Sequence, residues 1–309
     1  MLTVLIIIIL LLATSTVFLV YLNFVARFHR IQLFGRVRRA RKFNPNQGIM
    51  SVLNLTDNYV PREDLTLLRL LMLRKLPLVV CLGDSITHGI ISTNYVEQLQ
   101  QKYKGKLLFV NSGINGNLAY NLHVRLQEDC LDLDPDYVTI LIGTNDVNSQ
   151  QNRKTRLQYI KYQSLPCHPD KNFYLSHLRQ IIESIRKHTR ARVAILSLPV
   201  IGENLESHLN KLAVDYSREI KQLALEYGLT YLPLNEMQYT YLQEINGRCC
   251  TEFNKKNLLL NWLLMIGRSF DKIAQINGRY LTYDGLHETT RGAEMIISLI
   301  SSFLDQYDI

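Results

Sequence analysis

The sequence predicts an α/β protein built on a parallel sheet, preceded by one apolar helix. From Leu78 onward, short apolar runs of strand length alternate with amphipathic stretches of helix length. This order is typical of sheets whose right-handed crossovers place helices on both faces. The short runs are continuously apolar rather than alternating, as expected for strands buried on both sides. A hydrophobic share of 47% with 20% charged residues excludes a disordered chain.

The first 26 residues predict a membrane anchor. The segment Leu2–Ala26 contains no charged side chain, and as a helix it would be about 37 Å long, enough to cross a hydrocarbon core with tilt. A cleaved signal peptide would show a positive n-region, a shorter apolar stretch and a small-x-small cleavage site. None of these is evident in the sequence. We therefore expect residues 1–26 to form one uncleaved transmembrane helix.

A basic cluster follows this segment and accounts for most of the formal net charge of +8. Its members are Arg27, Arg30, Arg36, Arg38, Arg39, Arg41 and Lys42. Removing these 7 from the 35 Lys and Arg leaves 28, against 27 Asp and Glu. The rest of the chain is thus nearly neutral, and we expect no nucleic-acid partner. The cluster suits contact with anionic lipid headgroups.

The basic cluster and the cysteines predict where the protein lies in the cell. Positive flanks stay on the cytoplasmic side of a membrane, so we expect a single-pass protein whose bulk lies in the cytoplasm. The 5 cysteines are an odd number without metal-ligand spacing. This favours a reduced compartment and predicts no metal site.

The chain after the anchor divides into two parts. Residues 27–76 form the basic juxtamembrane segment and a connecting helix, whose start is indicated by Pro61 and the acidic residues after it. Residues 77–309 form the α/β domain.

Five apolar runs predict the strands of this domain. They are Leu78–Leu82, Leu107–Val110, Tyr137–Ile142, Val193–Leu198 and Leu229–Leu234. Apolar residues at helical spacing predict the helices that cover the sheet, at Tyr95–Tyr103, Leu118–Leu131, Tyr174–His188, Leu209–Tyr227 and Gly292–Leu304.

Two connections are longer than such units need, and long connections are often functional. Asn148–Asn172 is polar and basic, and residues 239–280 contain the apolar run Leu258–Ile266. This run is interpreted either as a helix filling the core or as a lid that meets the membrane interface.

Two motifs place a serine, a histidine and an aspartate where they can act together. Ser85 follows the first strand in a Gly-Asp-Ser motif, and Asp284 and His287 share an Asp-Gly-Leu-His motif before the last helix. A serine hydroxyl is a weak nucleophile that needs a base within reach, itself oriented by a third group. His287 fits the base and Asp284 its orienting carboxylate. Taken singly, the three also fit a helix cap, a turn residue and a structural histidine.

Two further loops at the same predicted sheet edge can present donors to an oxyanion. Asn111–Asn117 follows the second strand and Gly143–Asp146 the third. Acyl transfer builds negative charge on the carbonyl oxygen, and each preorganised donor stabilises it by about 3 to 4 kcal/mol. We expect the N–H groups of Ser85 and Gly116 and the amide of Asn145 to be these donors, although such residues are also ordinary in turns.

The blocks GDS, N-x-x-x-x-G, GTND and DGLH, in this order, resemble the four conserved blocks of the SGNH/GDSL hydrolase superfamily. The resemblance covers about residues 78–304 and implies a flavodoxin-like three-layer α/β/α sandwich with a five-stranded parallel sheet, working without a metal or other cofactor. Position by position it implies a nucleophile, two oxyanion-hole residues, an acid and a base at Ser85, Gly116, Asn145, Asp284 and His287, respectively.

The resulting hypothesis is a membrane-anchored serine esterase or acylhydrolase that forms an acyl-enzyme on Ser85. The anchor modestly favours a lysophospholipid or other lipid ester, while an acyl thioester or a carbohydrate O-acetyl group would use the same chemistry. A catalytically silent, membrane-tethered binding module is the alternative from another class. The connection at residues 239–280 is longer than in many family members, so the substrate pocket is left undefined.

Three neighbouring residues are expected to be structural. His88 lies on the helix that starts at Ser85 and should point away from its hydroxyl, Cys81 should lie in the core, and Asp146 should cap a loop or helix.

Overall fold

The computed structural model describes residues 59–61, 76–245 and 269–307. Its strands form one parallel sheet with the order β1-β3-β2-β4-β5-β6. They are β1 (Tyr59–Pro61), β2 (Leu78–Gly83), β3 (Leu108–Gly113), β4 (Tyr137–Leu141), β5 (Arg192–Leu196) and β6 (Thr230–Leu232).

Ten α-helices lie within the described residues. They are α1 (Ser85–His88), α2 (Tyr95–Lys102), α3 (Ala119–Asp129), α4 (Thr144–Ser149), α5 (Arg153–Tyr162), α6 (Lys171–His188), α7 (His208–Tyr227), α8 (Leu234–Glu244), α9 (Phe270–Ile276) and α10 (Thr290–Leu304).

The five strands predicted from the sequence are all present, with ends that differ by at most three residues. A sixth strand, β1, adds to the edge of the sheet, where Tyr59 pairs with Phe109 of β3. Pro61 ends this strand. A proline has no N–H to donate, and it is tolerated here because one side of an edge strand has no partner strand. The connecting helix predicted beyond Pro61 lies outside the described residues.

Strand β2 shows why the fold has three layers. Leu78, Val80 and Leu82 pack with α3, α6 and α7 on one face of the sheet, whereas Val79 and Cys81 pack with α2, α8 and α10 on the other. All five side chains are at most 2% exposed. Burying each aliphatic side chain contributes about 1.5–3 kcal/mol, so both faces stabilise the sheet. The predicted α/β/α sandwich and the core position of Cys81 are confirmed.

The two long connections contain helices that the sequence did not predict. Within Asn148–Asn172 lies α5, whose first turn is capped by the Asn152 side chain accepting from the N–H of Thr155 at 2.9 Å. The predicted loop at residues 239–280 begins inside α8 and contains α9. Its apolar run Leu258–Ile266 lies outside the described residues.

None of the described helices is long and apolar enough to span a membrane. The predicted anchor at residues 1–26 falls outside the described part of the chain, as does most of the juxtamembrane segment, residues 27–76.

Candidate active site

Ser85 lies at the carboxyl end of β2, as the first residue of α1. The N–H of a first helical residue is not used within the helix, so it can serve a ligand. Asp84 caps this short helix, because its Oδ1 accepts from the N–H of Ile86 at 3.0 Å. Burial raises the pKa of Asp84 to about 6, against the hydrogen bond from Ile86 and the charge of His287, which lower it.

Strand β3 fixes the position of α1 from the side. The Asn111 amide Nδ2 donates to the carbonyl of Thr87 at 2.7 Å. A Cβ at Gly113 would overlap the backbone nitrogen of His88, so only glycine permits this close approach. Residues of the N-x-x-x-x-G block therefore hold the turn that carries Ser85.

The sequence-predicted serine, histidine and aspartate are in contact. The Ser85 hydroxyl Oγ lies 2.9 Å from Nε2 of His287, and the opposite ring nitrogen, Nδ1, lies 2.7 Å from Oδ2 of Asp284. The other carboxylate oxygen accepts from the backbone N–H groups of Leu286 and His287, both at 2.9 Å. One turn thus orients the carboxylate toward the imidazole. The chain of three groups is the arrangement by which a base activates a hydroxyl.

The electrostatics of the contacts between Ser85, His287 and Asp284 favour a charged imidazole. Burial alone would lower the pKa of His287, but the charge and hydrogen bond of Asp284, together with the charge of Asp84, raise it overall. Burial acts to raise the pKa of Asp284, yet His287 and the two backbone donors hold it below its usual range. The pair can therefore stabilise an imidazolium, which is the species that forms when the ring accepts a proton.

The segment that leads into Asp284 is held by one carboxylate that sequence analysis missed. Glu203, in the loop after β5, is 2% exposed. Its oxygens accept from the N–H groups of Tyr280, Leu281 and Thr282 at 2.9, 2.8 and 2.9 Å, respectively. The adjacent Gly202 N–H donates to the carbonyl of Gly285 at 2.7 Å. No local sequence signal marks Glu203, because its partners are about 80 residues away.

The two predicted oxyanion donors outside α1 follow β3 and β4, the strands on either side of β2. Asn145, on α4, donates from Nδ2 to the Asn117 carbonyl at 3.0 Å and makes a longer contact of 3.4 Å with Oδ2 of Asp84. Gly116 has a φ of +76°, in the left-handed region that favours glycine. The structure therefore places the Asn145 amide beside the residue that precedes Ser85.

A buried arginine ties these loops to the sheet. Arg125 of α3 donates to the Gly83 carbonyl at 2.8 Å and to Oδ1 of Asn117 at 2.9 Å, and it is paired with Asp129. Arg125 is 5% exposed and Asp129 is 1% exposed, and breaking such a buried pair costs about 3–5 kcal/mol. Sequence analysis missed this residue, which joins the loop of Asn117 to the strand end before Ser85.

Two residues expected to be structural have partners away from the Ser85 hydroxyl. His88 Nδ1 contacts Oδ1 of Asn115 at 2.9 Å. Asp146 accepts through Oδ2 from the N–H of Ala119 at 3.2 Å, at the first residue of α3. Burial raises the pKa of Asp146 to about 8. Within the described residues, no group of three or more His, Cys, Asp or Glu side chains could hold a metal ion.

Comparison with known proteins identifies the family of the chain. The model of the GDSL-like Lipase/Acylhydrolase family matches residues 81–256, more than half of the 309 residues. The chain belongs to this family, which defines its class as an ester-hydrolysing enzyme. The matched region includes Ser85 and Asn145 and ends before Asp284 and His287.

Two relatives by sequence and one solved structure are similar to this chain. An acetylxylan esterase of Geobacillus stearothermophilus is 32% identical over 165 residues, covering 47% of this chain and 70% of that protein. An uncharacterized lipoprotein of Bacillus subtilis, YqeF, is 30% identical over 139 residues, covering 42% of this chain and about half, 52%, of that protein. The solved structure of Axe2, an acetylxylan esterase from Geobacillus stearothermophilus, superposes with a TM-score of 0.53 at 20% identity, covering 73% of this chain and 93% of that one. This last likeness shows the shared fold.

Proposed function

We propose that this chain is a serine esterase whose nucleophile is Ser85. The observation that carries the proposal is the contact chain from the Ser85 hydroxyl through both nitrogens of His287 to Asp284, with distances of 2.9 and 2.7 Å. All three residues are at most 7% exposed. Electrostatic interactions are stronger at such a site than in water.

In the acylation step, His287 Nε2 accepts the Ser85 proton as Oγ attacks the ester carbonyl. Asp284 holds the ring with Nδ1 protonated and stabilises the imidazolium. As the tetrahedral intermediate collapses, the imidazolium donates its proton to the leaving alcohol oxygen. Water, deprotonated by His287, then attacks the acyl-enzyme and releases the carboxylic acid, and the proton returns to Ser85.

The developing oxyanion is held by the N–H groups of Ser85 and Gly116 and by Nδ2 of Asn145. The long contact of 3.4 Å between Nδ2 and Asp84 is the one that a substrate oxygen replaces. The shorter bond to the Asn117 carbonyl keeps the amide in place meanwhile. Each donor of this kind contributes about 3 to 4 kcal/mol to lowering the barrier.

We favour an O-acetyl ester of a carbohydrate as substrate. The support is that the 32% identical relative is an acetylxylan esterase, as is Axe2, whose fold this chain shares. A lipid ester is the second candidate, supported by the uncharged segment Leu2–Ala26 and the apolar run Leu258–Ile266. Acyl thioesters use the same chemistry without a specific observation in their favour.

We also propose that the enzyme is tethered to a membrane by residues 1–26, with its bulk in the cytoplasm. The support is the sequence alone, namely the uncharged segment and the basic cluster from Arg27 to Lys42 that follows it. Contact of that cluster with anionic lipids would hold the enzyme close to the surface.

The test is labelling with a serine-reactive phosphonate, followed by a substrate panel. Labelling of the full chain that disappears in Ser85→Ala supports the esterase, whereas unlabelled, folded protein supports a binding module. Acetylated xylo-oligosaccharide and lysophospholipid then compete as substrates. Faster turnover of the lysophospholipid would overturn the carbohydrate assignment and leave the serine esterase standing.

A further inference from the structure

Helix α5 contacts the predicted oxyanion hole from behind. It occupies the polar connection between α4 and α6, which the esterase mechanism does not use. Its Tyr159 hydroxyl donates to Oδ1 of Asn145 at 2.7 Å and accepts from Nδ2 of Asn148 at 2.9 Å. The hydroxyl proton is thus committed to the amide oxygen of Asn145.

This bond decides which end of the amide faces the substrate. A side-chain amide carries a donor, Nδ2, and an acceptor, Oδ1, on opposite sides of one bond. With Oδ1 held by Tyr159, Nδ2 points to the Asn117 carbonyl and to Asp84. An amide turned by 180° would present oxygen to the oxyanion and convert a stabilising donor into a repulsive acceptor.

The Tyr159 hydroxyl stays protonated over the working range of an esterase. Burial raises its pKa well above the usual range, and the nearby charges of Asp84 and Asp146 raise it further, against the hydrogen bond from Asn148. An ionised phenolate would lose the proton that Oδ1 of Asn145 needs, so the environment keeps the bond intact.

Gln163, the residue after α5, contacts the loop that carries Gly116. The Gln163 carbonyl accepts from Nδ2 of Asn121 at 2.9 Å, and its side-chain Oε1 accepts from Nδ2 of Asn117 at 3.4 Å. Gln163 Nε2 would lie 2.5 Å from a Cβ placed on Gly116. The segment formed by α5 and Gln163 therefore contacts both Asn145 on α4 and the loop that carries Gly116.

We propose that α5 is a positioning element of the oxyanion hole, in which Tyr159 fixes the amide of Asn145 with its donor toward the substrate. This proposal rests on the esterase function argued above. Tyr159 acts through Asn145, so its contribution exists only while that amide is present.

A double-mutant cycle with Tyr159→Phe and Asn145→Ala tests this dependence. Tyr159→Phe removes one hydroxyl and keeps the ring, and we expect kcat to fall about tenfold with KM within twofold of wild type. In the Asn145→Ala background the same change should have no further effect, because contributions that act through one group are not additive. The matched control is Tyr162→Phe on the same helix, since Tyr162 is 59% exposed.

The readouts separate positioning from folding. Titration with the phosphonate gives kcat per competent molecule, so partial unfolding of Tyr159→Phe cannot imitate the effect. Equal loss of kcat from Tyr159→Phe in both backgrounds, or wild-type kcat in the single variant, overturns the positioning proposal. If Asn145→Ala itself keeps wild-type kcat, the oxyanion role of Asn145 in the proposed function fails and the role of Tyr159 fails with it.

Discussion

Replacing Glu203 should weaken both the fold and the activity, because this carboxylate holds the segment that carries the acid and base. It accepts from three consecutive backbone N–H groups, those of residues 280–282. Leu281 and Thr282 are fully buried, and a buried donor left without a partner costs about 1–3 kcal/mol. Glu203→Ala should therefore lower the free energy of unfolding by about 2–6 kcal/mol, a large share of a typical total of about 5–15 kcal/mol.

Replacing Glu203 with Gln should destabilise the protein less than replacing it with Ala. Its remaining carbonyl oxygen can still accept from two of the amides, while its NH2 group faces a third donor. We expect a loss of about 1–3 kcal/mol in unfolding free energy, since one charge-assisted bond is replaced by a repulsive contact. The kcat of this variant should fall more than its KM rises, because the Asp284–His287 turn loses a fixed support.

Urea unfolding and steady-state kinetics on both variants measure these effects. The matched control is Glu206→Ala, three residues along the same loop, where the side chain is 78% exposed and pairs with Lys211. The reasoning would be refuted by a Glu203→Ala protein that unfolds at the wild-type urea concentration with wild-type kcat.

Four further outcomes can be checked. The kcat/KM of the wild type should rise with pH through a midpoint above 6.5, because His287 must be neutral to accept a proton and Asp284 raises its pKa; Asp284→Asn should move that midpoint down, and an unmoved midpoint contradicts the assignment. Asn145→Ala should lower kcat by roughly 10²- to 10³-fold, whereas a change confined to KM would assign it to uniform substrate binding. Burial raises the pKa of Glu288 from 4.5 to about 8, so the folded protein keeps a proton that the unfolded chain releases, and stability should fall as pH rises between these values; thermal melting of Glu288→Gln should show a weaker pH dependence, and an identical slope would count against this explanation. Protease added outside intact cells should leave the domain uncut if residues 27–42 set a cytoplasmic orientation. Cleavage of the domain, or glycosylation at Asn54 in the sequon Asn54-Leu55-Thr56, would reverse that orientation.

The sequence predicted the candidate site where the signal was local. Ser85 and Asn145 each stand in a short motif after an apolar run, and parallel strands bring such ends to one edge of a sheet. His287 stands in a short motif just before the last helix. The structure places the Ser85 hydroxyl beside His287 and the Asn145 amide beside Asp84, as that argument requires.

The sequence did not predict the residues that support the site, because their meaning depends on distant partners. Glu203 resembles any loop acid until residues 280–282 are placed against it. Helix α5 has one buried residue, Thr155, so it shows no apolar period to separate it from a loop. A cap signal was available in Asn152, whose side chain starts the helix. Strand β1 is three residues long and ends in a proline, which is too short for a pattern.

The contact between Ser85 and His287 joins residues that are 202 positions apart. Closing a flexible loop of that length costs about 5 kcal/mol in chain entropy, and this single contact is too weak to offset it alone. The pair should therefore form only after the sheet and its helices have already drawn the chain together. During refolding from urea, recovered esterase activity should lag behind recovered helical circular dichroism, which makes turnover a late reporter of folding for this chain.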